Sequence, residues 1–384
     1  MGFFFGFGKA RRDFFVKGEE RGRQIVEPEL VTTRRSTRRI QIGHIPIGGD
    51  APISVQSMTT VDTRDVMATV NQLRQLKAAG CDIARIAVPD LAAAEALETI
   101  MQRAPLPVVA DIHFNYKFAL MAAEAGISGL RFNPGNIGSA WKVRELVASA
   151  KDHQIPIRIG VNAGSVEKRL LKNHEGEPTP EMLVESAMHH VHILEDENFH
   201  DIKISVKSSQ VPTMVAAYRL LADRVDYPLH LGVTEAGTPR LGGLRSALGI
   251  GLLIAEGIGD TLRVSLTADP VEEVAAGIAI LKDLGLRQGG LSLVSCPTCG
   301  RCTVDMISAT ERIEKKLGGI QGDVRVAVMG CEVNGPGEAK AADVGIAYGH
   351  GVALLVKQGK IVKRLKPEEA EDALVAEVHE MANS

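Results

Sequence analysis

Short apolar runs alternate with longer amphipathic stretches from Ile40 onward. The runs ISVQSM (53–58), IARIAV (83–88), PVVADIH (107–113) and GLRFNPG (129–135) read as strands. So do PIRIGVNAG (156–164), DIKISVKSS (201–209), PLHLGVTEAG (228–237) and TLRVSLTAD (261–269). Between them apolar residues return at helical spacing: Val66, Val70, Leu73 and Leu76 share one face of a segment that Gly80 ends. Thr179 and Pro180 supply a cap and a first helical proline for another helix. The stretch 165–178 before it reads as a surface excursion.

Eight strand–helix units predict an α/β fold, a closed parallel (β/α)8 barrel of the TIM type. An open doubly wound sheet is the alternative, disfavoured because no G-x-G-x-x-G turn follows the first strand. After Gly290 the rhythm changes. A helix over 304–317, a strand over 323–330, short strands near 343–347, 352–357 and 360–364, and a helix from Pro367 predict a smaller α+β domain. The expected division is an N-terminal arm (1–35, mobile or loosely docked), a barrel (36–288) and an α+β domain (289–384).

The 384 residues are 45% hydrophobic and 24% charged, with a formal charge of −3. Such a balance offers no basic field for nucleic acid. No run approaches the ~20 apolar residues of a membrane span. The Phe-rich start lacks the order of a secretory signal, since its basic residues follow the apolar run, and Gly6 stands where myristoylation needs Ser or Thr. With four of five cysteines grouped in the last quarter of the chain, a reducing, cytoplasmic setting is expected.

Function in a β/α barrel sits where strands end, and these ends are heavily charged. Arg85, Asp111, His113, Arg131, Asn133, Arg158 and Asn162 fall in or at the end of the second to fifth strands. Lys203, Ser205 and Lys207 follow in the sixth, Arg263 and Ser265 in the eighth. Spacings of two or four place many of them on one face of the pleat. Cations turned inward need an anion to offset their desolvation, and only Asp111 and Glu235 are evident carboxylate partners. The loops at 133–138 and 160–165 add backbone N–H groups where glycine allows close approach. A small, multiply anionic substrate is expected, a phosphate or diphosphate ester. Glu235 is either a salt-bridge partner or the acid–base group; it shares a strand face with His230 only if the strand has ended before it.

Cys296, Cys299 and Cys302 lie in SCPTCGRC, and Cys331 and Glu338 follow in GCEVNGPGEA. Spacing alone leaves a closed zinc site and an iron–sulfur cluster as nearly equal readings.

The segments VQSMTT, ADIHFNY, RFNPGNIG, RIGVNAGS, SVKSS, LGVTEAG, EGIGDTLRVSL, SCPTCGR and GCEVNGPGEA resemble, in order, those of the 4-hydroxy-3-methylbut-2-enyl diphosphate synthase family in its bacterial two-domain form. The resemblance runs from about Arg38 to Gly349. It implies a 4Fe–4S cluster held by Cys296, Cys299, Cys331 and Glu338, leaving Cys302 without a role. It implies substrate contacts from Arg85, Asp111, Arg131, Asn133, Arg158, Asn162, Lys207, Arg263 and Ser265, with Glu235 as the catalytic acid–base group. The implied reaction is reductive ring opening and dehydration of 2-C-methyl-D-erythritol 2,4-cyclodiphosphate, in the non-mevalonate route to isoprenoids. Reduced flavodoxin or ferredoxin is the implied electron donor, and a head-to-tail homodimer the implied assembly. The alternative is a barrel phosphohydrolase or pterin-type transferase with a structural zinc tail.

Overall fold

The computed structural model describes residues 30–113, 115–172, 176–318, 320, 322–331 and 335–382, so most of the expected N-terminal arm lies outside the described residues. The chain divides into a unit ending at Leu286 and a unit beginning at Arg287.

The first unit opens with a hairpin, β1 (Ile40–Ile42) and β2 (Ile45–Ile47), that the sequence reading did not foresee. Its buried Ile40, Ile42 and Ile47 pack on Ile83 and Val109, closing the end of the barrel where strands begin. The residues just before it are docked. Thr32 N–H donates to the Ala255 carbonyl at 2.9 Å, and Arg34 pairs with the buried Asp260 at 3.0 Å.

Eight parallel strands follow: β3 (Ser54–Met58), β4 (Ile83–Ala87), β5 (Val108–Asp111), β6 (Gly129–Arg131), β7 (Ile157–Asn162), β8 (Ile202–Lys207), β9 (His230–Leu231) and β10 (Thr261–Leu262). The ladder runs β8-β7-β6-β5-β4-β3-β10-β9, and a parallel bridge from Ile204 to Leu229 joins its two ends. That bridge makes the sheet a barrel and excludes the open alternative. Helices cap as their sequences dictate: Asp65, Asp90 and Asp269 each accept a backbone N–H of the first turn through their side chains. The faces they bury against the strands form one apolar core.

Several strands end earlier than their apolar runs. The regular strands end at Arg131, Leu231 and Leu262, and the residues beyond become loop. This gives the site its room.

The second unit carries a five-stranded sheet ordered β11 (Leu291–Ser295), β12 (Val324–Met329), β13 (Val344–Gly349), β14 (Val352–Lys357), β15 (Lys360–Leu365). The first three strands are parallel and the last two antiparallel. Helices Met306–Leu317 and Pro367–Ala382 pack their buried Ile313, Leu317, Leu374 and Val378 on it. β11 was not expected, because LSLVS exposes Ser292, Val294 and Ser295 and reads as linker. Among the described residues no helix is long and apolar enough to cross a membrane.

Candidate active site and cysteine centre

Register places charges of adjacent strands side by side, from the ends of β5 and β6 to the starts of β7 and β8. Asp111 on β5 pairs with Arg131 on β6, Arg131 with Arg158 on β7, and Arg158 with Lys203 on β8. Four residues further along, at the ends of β7 and β8, Asn162 stands opposite Lys207. A cavity of about 220 Å³ opens there, lined by Arg85, Asp111, His113, Arg131, Arg158, Gly160, Asn162, Ser205, Lys207, Thr234, Arg263 and Ser265.

Two carboxylates organise these cations. Asp111 Oδ1 accepts from Arg131 Nη1 at 3.0 Å, and its Oδ2 lies 3.5 Å from Arg85 Nε. Burial alone would raise the Asp111 carboxyl; Arg85, Arg131 and Arg158 outweigh it and hold the group at about 2. The second carboxylate is Glu273, on helix Pro270–Asp283. It receives Arg263 through Nε and Nη2, both at 3.1 Å, as well as the Ser57 hydroxyl and the Leu266 N–H. Sequence reading missed it and named Glu235 instead. At its position the second carboxylate of PVEEV looks like an ordinary first-turn acid. Only the fold turns it inward.

The remaining cations are short of anions. Burial, then the neighbouring Arg85 and Arg131, depresses Arg158 well below its ordinary range, and burial with Arg158 and Arg263 does the same to Lys207. Arg85 falls to about 10 for the same first reason, against the pull of Asp111. A pocket in which charge is this costly recovers the penalty when an anionic ligand enters.

Two expected site residues, Asn133 and Glu235, do not line this cavity. Asn133 is buried and its amide is spent on Gly160, Nδ2 donating to the carbonyl at 3.0 Å and Oδ1 accepting the N–H at 2.9 Å. It braces β7 from behind the cavity wall. Gly160 in turn leaves the space Arg131 fills, since a Cβ there would lie 2.9 Å from Arg131 Nε. Glu235 is exposed, at φ +53°, four residues past the end of β9. It lines an adjoining cavity of about 540 Å³ that shares Asn162 and Thr234 with the first, and among the described residues it enters no ion pair. His230 is buried in the barrel, so the two share no face.

In the second unit the cysteines gather after two neighbouring strands. Cys296 follows β11 and donates its N–H to the Val328 carbonyl at 2.9 Å; Cys331 follows β12 and is buried. Cys299 N–H lies 3.4 Å from Cys302 Sγ, and a Cβ on Gly330 would meet that sulfur at 2.7 Å. Hydrogen bonding to the thiol of Cys299 raises the Arg301 guanidinium, with smaller contributions from Cys331 and Cys296. Glu338, exposed, ends the turn Gly335–Glu338 that begins four residues after Cys331. Among the described residues no three His, Cys, Asp or Glu side chains are set around a single metal-ion position. Thiolate donors of this kind suit either an iron–sulfur cluster or a zinc ion.

Two family descriptions match the chain, the GcpE TIM-barrel domain over residues 37–278 and the GcpE protein C-terminal domain over residues 292–380. The 4-hydroxy-3-methylbut-2-en-1-yl diphosphate synthase (flavodoxin) of Geobacter sulfurreducens is 60% identical over 348 residues, 91% of this chain and 98% of the relative. Enzymes of the same name from Clostridium perfringens and Acidithiobacillus ferrooxidans are 53% and 56% identical, over 89% of this chain in both cases and 98% and 93% of theirs. These relatives set aside the phosphohydrolase and pterin-transferase alternative. With residues 37–278 and 292–380 matched, the chain belongs to the GcpE family.

Proposed function

We propose that this chain converts 2-C-methyl-D-erythritol 2,4-cyclodiphosphate to 4-hydroxy-3-methylbut-2-enyl diphosphate by two-electron reductive ring opening and loss of water, in isoprenoid biosynthesis. The observation that carries the reading is the anion-poor pocket, in which Arg85, Arg131, Arg158, Lys207 and Arg263 share Asp111 and Glu273. Such a pocket fits a diphosphate, whose charge rises further when its bond to the ring carbon breaks.

A 4Fe–4S cluster on Cys296, Cys299, Cys331 and Glu338 supplies, when bound, the electrons and a Lewis-acidic iron for the departing oxygen. Arg131, held by Asp111 and the Gly160 carbonyl, presents a fixed guanidinium edge to the diphosphate. Asn162 and Ser265 contribute neutral contacts, and Asn133 acts through Gly160. Glu235, exposed beside the pocket, carries the proton exchanged with the reacting end of the substrate. Reduced flavodoxin is the proposed donor, in keeping with the relatives' names, with ferredoxin as a substitute. A head-to-tail homodimer is proposed as the working assembly.

Titration calorimetry of the cyclic diphosphate against the purified chain tests the pocket. Arg131→Ala should weaken binding by roughly 10- to 100-fold, the loss of a charge-assisted contact worth ~1.5–3 kcal/mol. Unchanged affinity in a folded Arg131→Ala protein removes the reading's main support.

A further inference from the structure

Lys207 reaches the pocket from the last position of β8, and its ammonium nitrogen lies 3.3 Å from His230 Nε2. Behind it, His230 Nδ1 lies 2.8 Å from Thr261 Oγ1. The three side chains are buried, and they come from β8, β9 and β10. The imidazole is fixed from the main chain as well, because the Tyr218 hydroxyl donates to the His230 carbonyl at 2.5 Å. Space for the lysine is built in. A Cβ on Gly232 would stand 2.6 Å from Lys207 Nζ and 2.6 Å from the Arg263 carbonyl.

We propose that His230 is a positioning residue for Lys207. A neutral imidazole accepts from the ammonium through Nε2, donates Nδ1–H to Thr261, and aims the lysine's remaining N–H donors at the anionic ligand. An ammonium has donors only, so its imidazole neighbour must offer a lone pair at Nε2. The proton then resides on Nδ1, where Thr261 accepts it. Burial first, then Lys207, Arg158, Lys203 and Arg85, holds His230 far below the range in which it would become a cation.

The choice of imidazole has a physical consequence. Arg263 and Arg131 are held by carboxylates, which neutralise part of the charge they offer a ligand. A carboxylate at position 230 would do the same to Lys207. A neutral acceptor anchors the ammonium and leaves its charge for the ligand. The anchor also lowers the cost of ordering a long side chain when the ligand binds.

This inference rests on the reading of Lys207 as an anion contact, and two measurements on the full chain separate them. In protein labelled with 15N-histidine, the His230 ring, assigned by its loss in His230→Gln, should show an unprotonated Nε2 and a protonated Nδ1 with a ligand anion bound. A ring protonated at Nε2 overturns the proposal whatever the protein binds.

The second measurement is calorimetry with inorganic pyrophosphate on His230→Leu, His230→Gln, Lys207→Met and the Lys207→Met, His230→Leu pair. His230→Leu should lose about tenfold in affinity, while His230→Gln, whose side-chain oxygen can accept from the ammonium, should lose less than threefold. The paired variant should bind no worse than Lys207→Met alone, because a residue acting through Lys207 has nothing left to act on. Additive losses, or wild-type affinity in folded His230→Leu, overturn the proposal. Wild-type affinity in Lys207→Met would instead overturn the pocket reading, with the ring tautomer still deciding how His230 meets the lysine.

Discussion

Arg263 and Glu273 meet in a two-point ion pair, Nε on Oε2 and Nη2 on Oε1, each at 3.1 Å, with the carboxylate buried. The fork of the guanidinium is therefore committed, and Nη1 is left near the Met58 sulfur and the cavity. Removing the carboxylate leaves a partly buried cation without its partner and frees the Ser57 hydroxyl and Leu266 N–H. Glu273→Ala should cost about 3–5 kcal/mol of stability. Thermal and denaturant unfolding check this; a change under about 1 kcal/mol would mean the pair is not the anchor described here.

A pH effect follows from His190. It is buried on helix Pro180–Asp196, and its Nδ1 accepts the Gly135 N–H at 3.1 Å, pinning the loop that follows β6. Burial, only partly opposed by Glu167, lowers this imidazole to about 4. Unfolded, it titrates near 6.5. Between those values the unfolded chain takes up a proton that the folded chain refuses, so stability falls as pH drops from 6.5 towards 4. The slope from this one group is about 1.4 kcal/mol per pH unit. His190→Gln, which can still accept from Gly135, should flatten the decline measured by unfolding at stepped pH. An unchanged slope would assign it to other groups.

The cysteines separate by role. Cys296→Ser, Cys299→Ser and Cys331→Ser should each lose bound iron and activity, since a hydroxyl is a poor replacement for a thiolate on iron. Cys302→Ser should keep both. Iron and sulfide analysis after anaerobic purification decides it, and colourless Cys302→Ser protein would exchange Cys302 for one of the other thiols. Cys81, buried against β3 with its Sγ 3.7 Å from the Val55 carbonyl, is a packing residue, and Cys81→Ala should turn over normally.

Glu235→Gln probes the chemistry. It is exposed and, among the described residues, outside every ion pair, so the variant should fold as the parent does. The variant should bind the cyclic diphosphate within about twofold of the parent and lose at least 100-fold in turnover, on the scale of lost general acid–base catalysis. Full turnover would leave the residue without a catalytic role.

The residues that show what a sequence displays are those of the barrel strands. Val55, Ile86, Val108 and Ile204 mark strands by their apolar character, and Arg158 and Lys207 betray the site because inward cations are anomalous there. Glu273 was invisible for the opposite reason: a carboxylate in a helix's first turn is ordinary until the helix packs on β3 and β10. The bracing of Gly160 by Asn133 was not legible, because residue type does not reveal which way an amide is spent. β11 escaped notice since an edge strand with exposed serines lacks the apolar signature of a buried one.

The central claim is that a pocket for a diphosphate works with a cysteine-held cluster to reduce a cyclic substrate. It is tested most directly by reconstituting the chain anaerobically, then following the cyclic diphosphate by phosphorus NMR with a chemical reductant. The account predicts brown protein with about four irons and four sulfides per chain and conversion to the linear 4-hydroxy-3-methylbut-2-enyl diphosphate. Fully loaded protein that binds the cyclic diphosphate and leaves it unchanged under reducing conditions would contradict it.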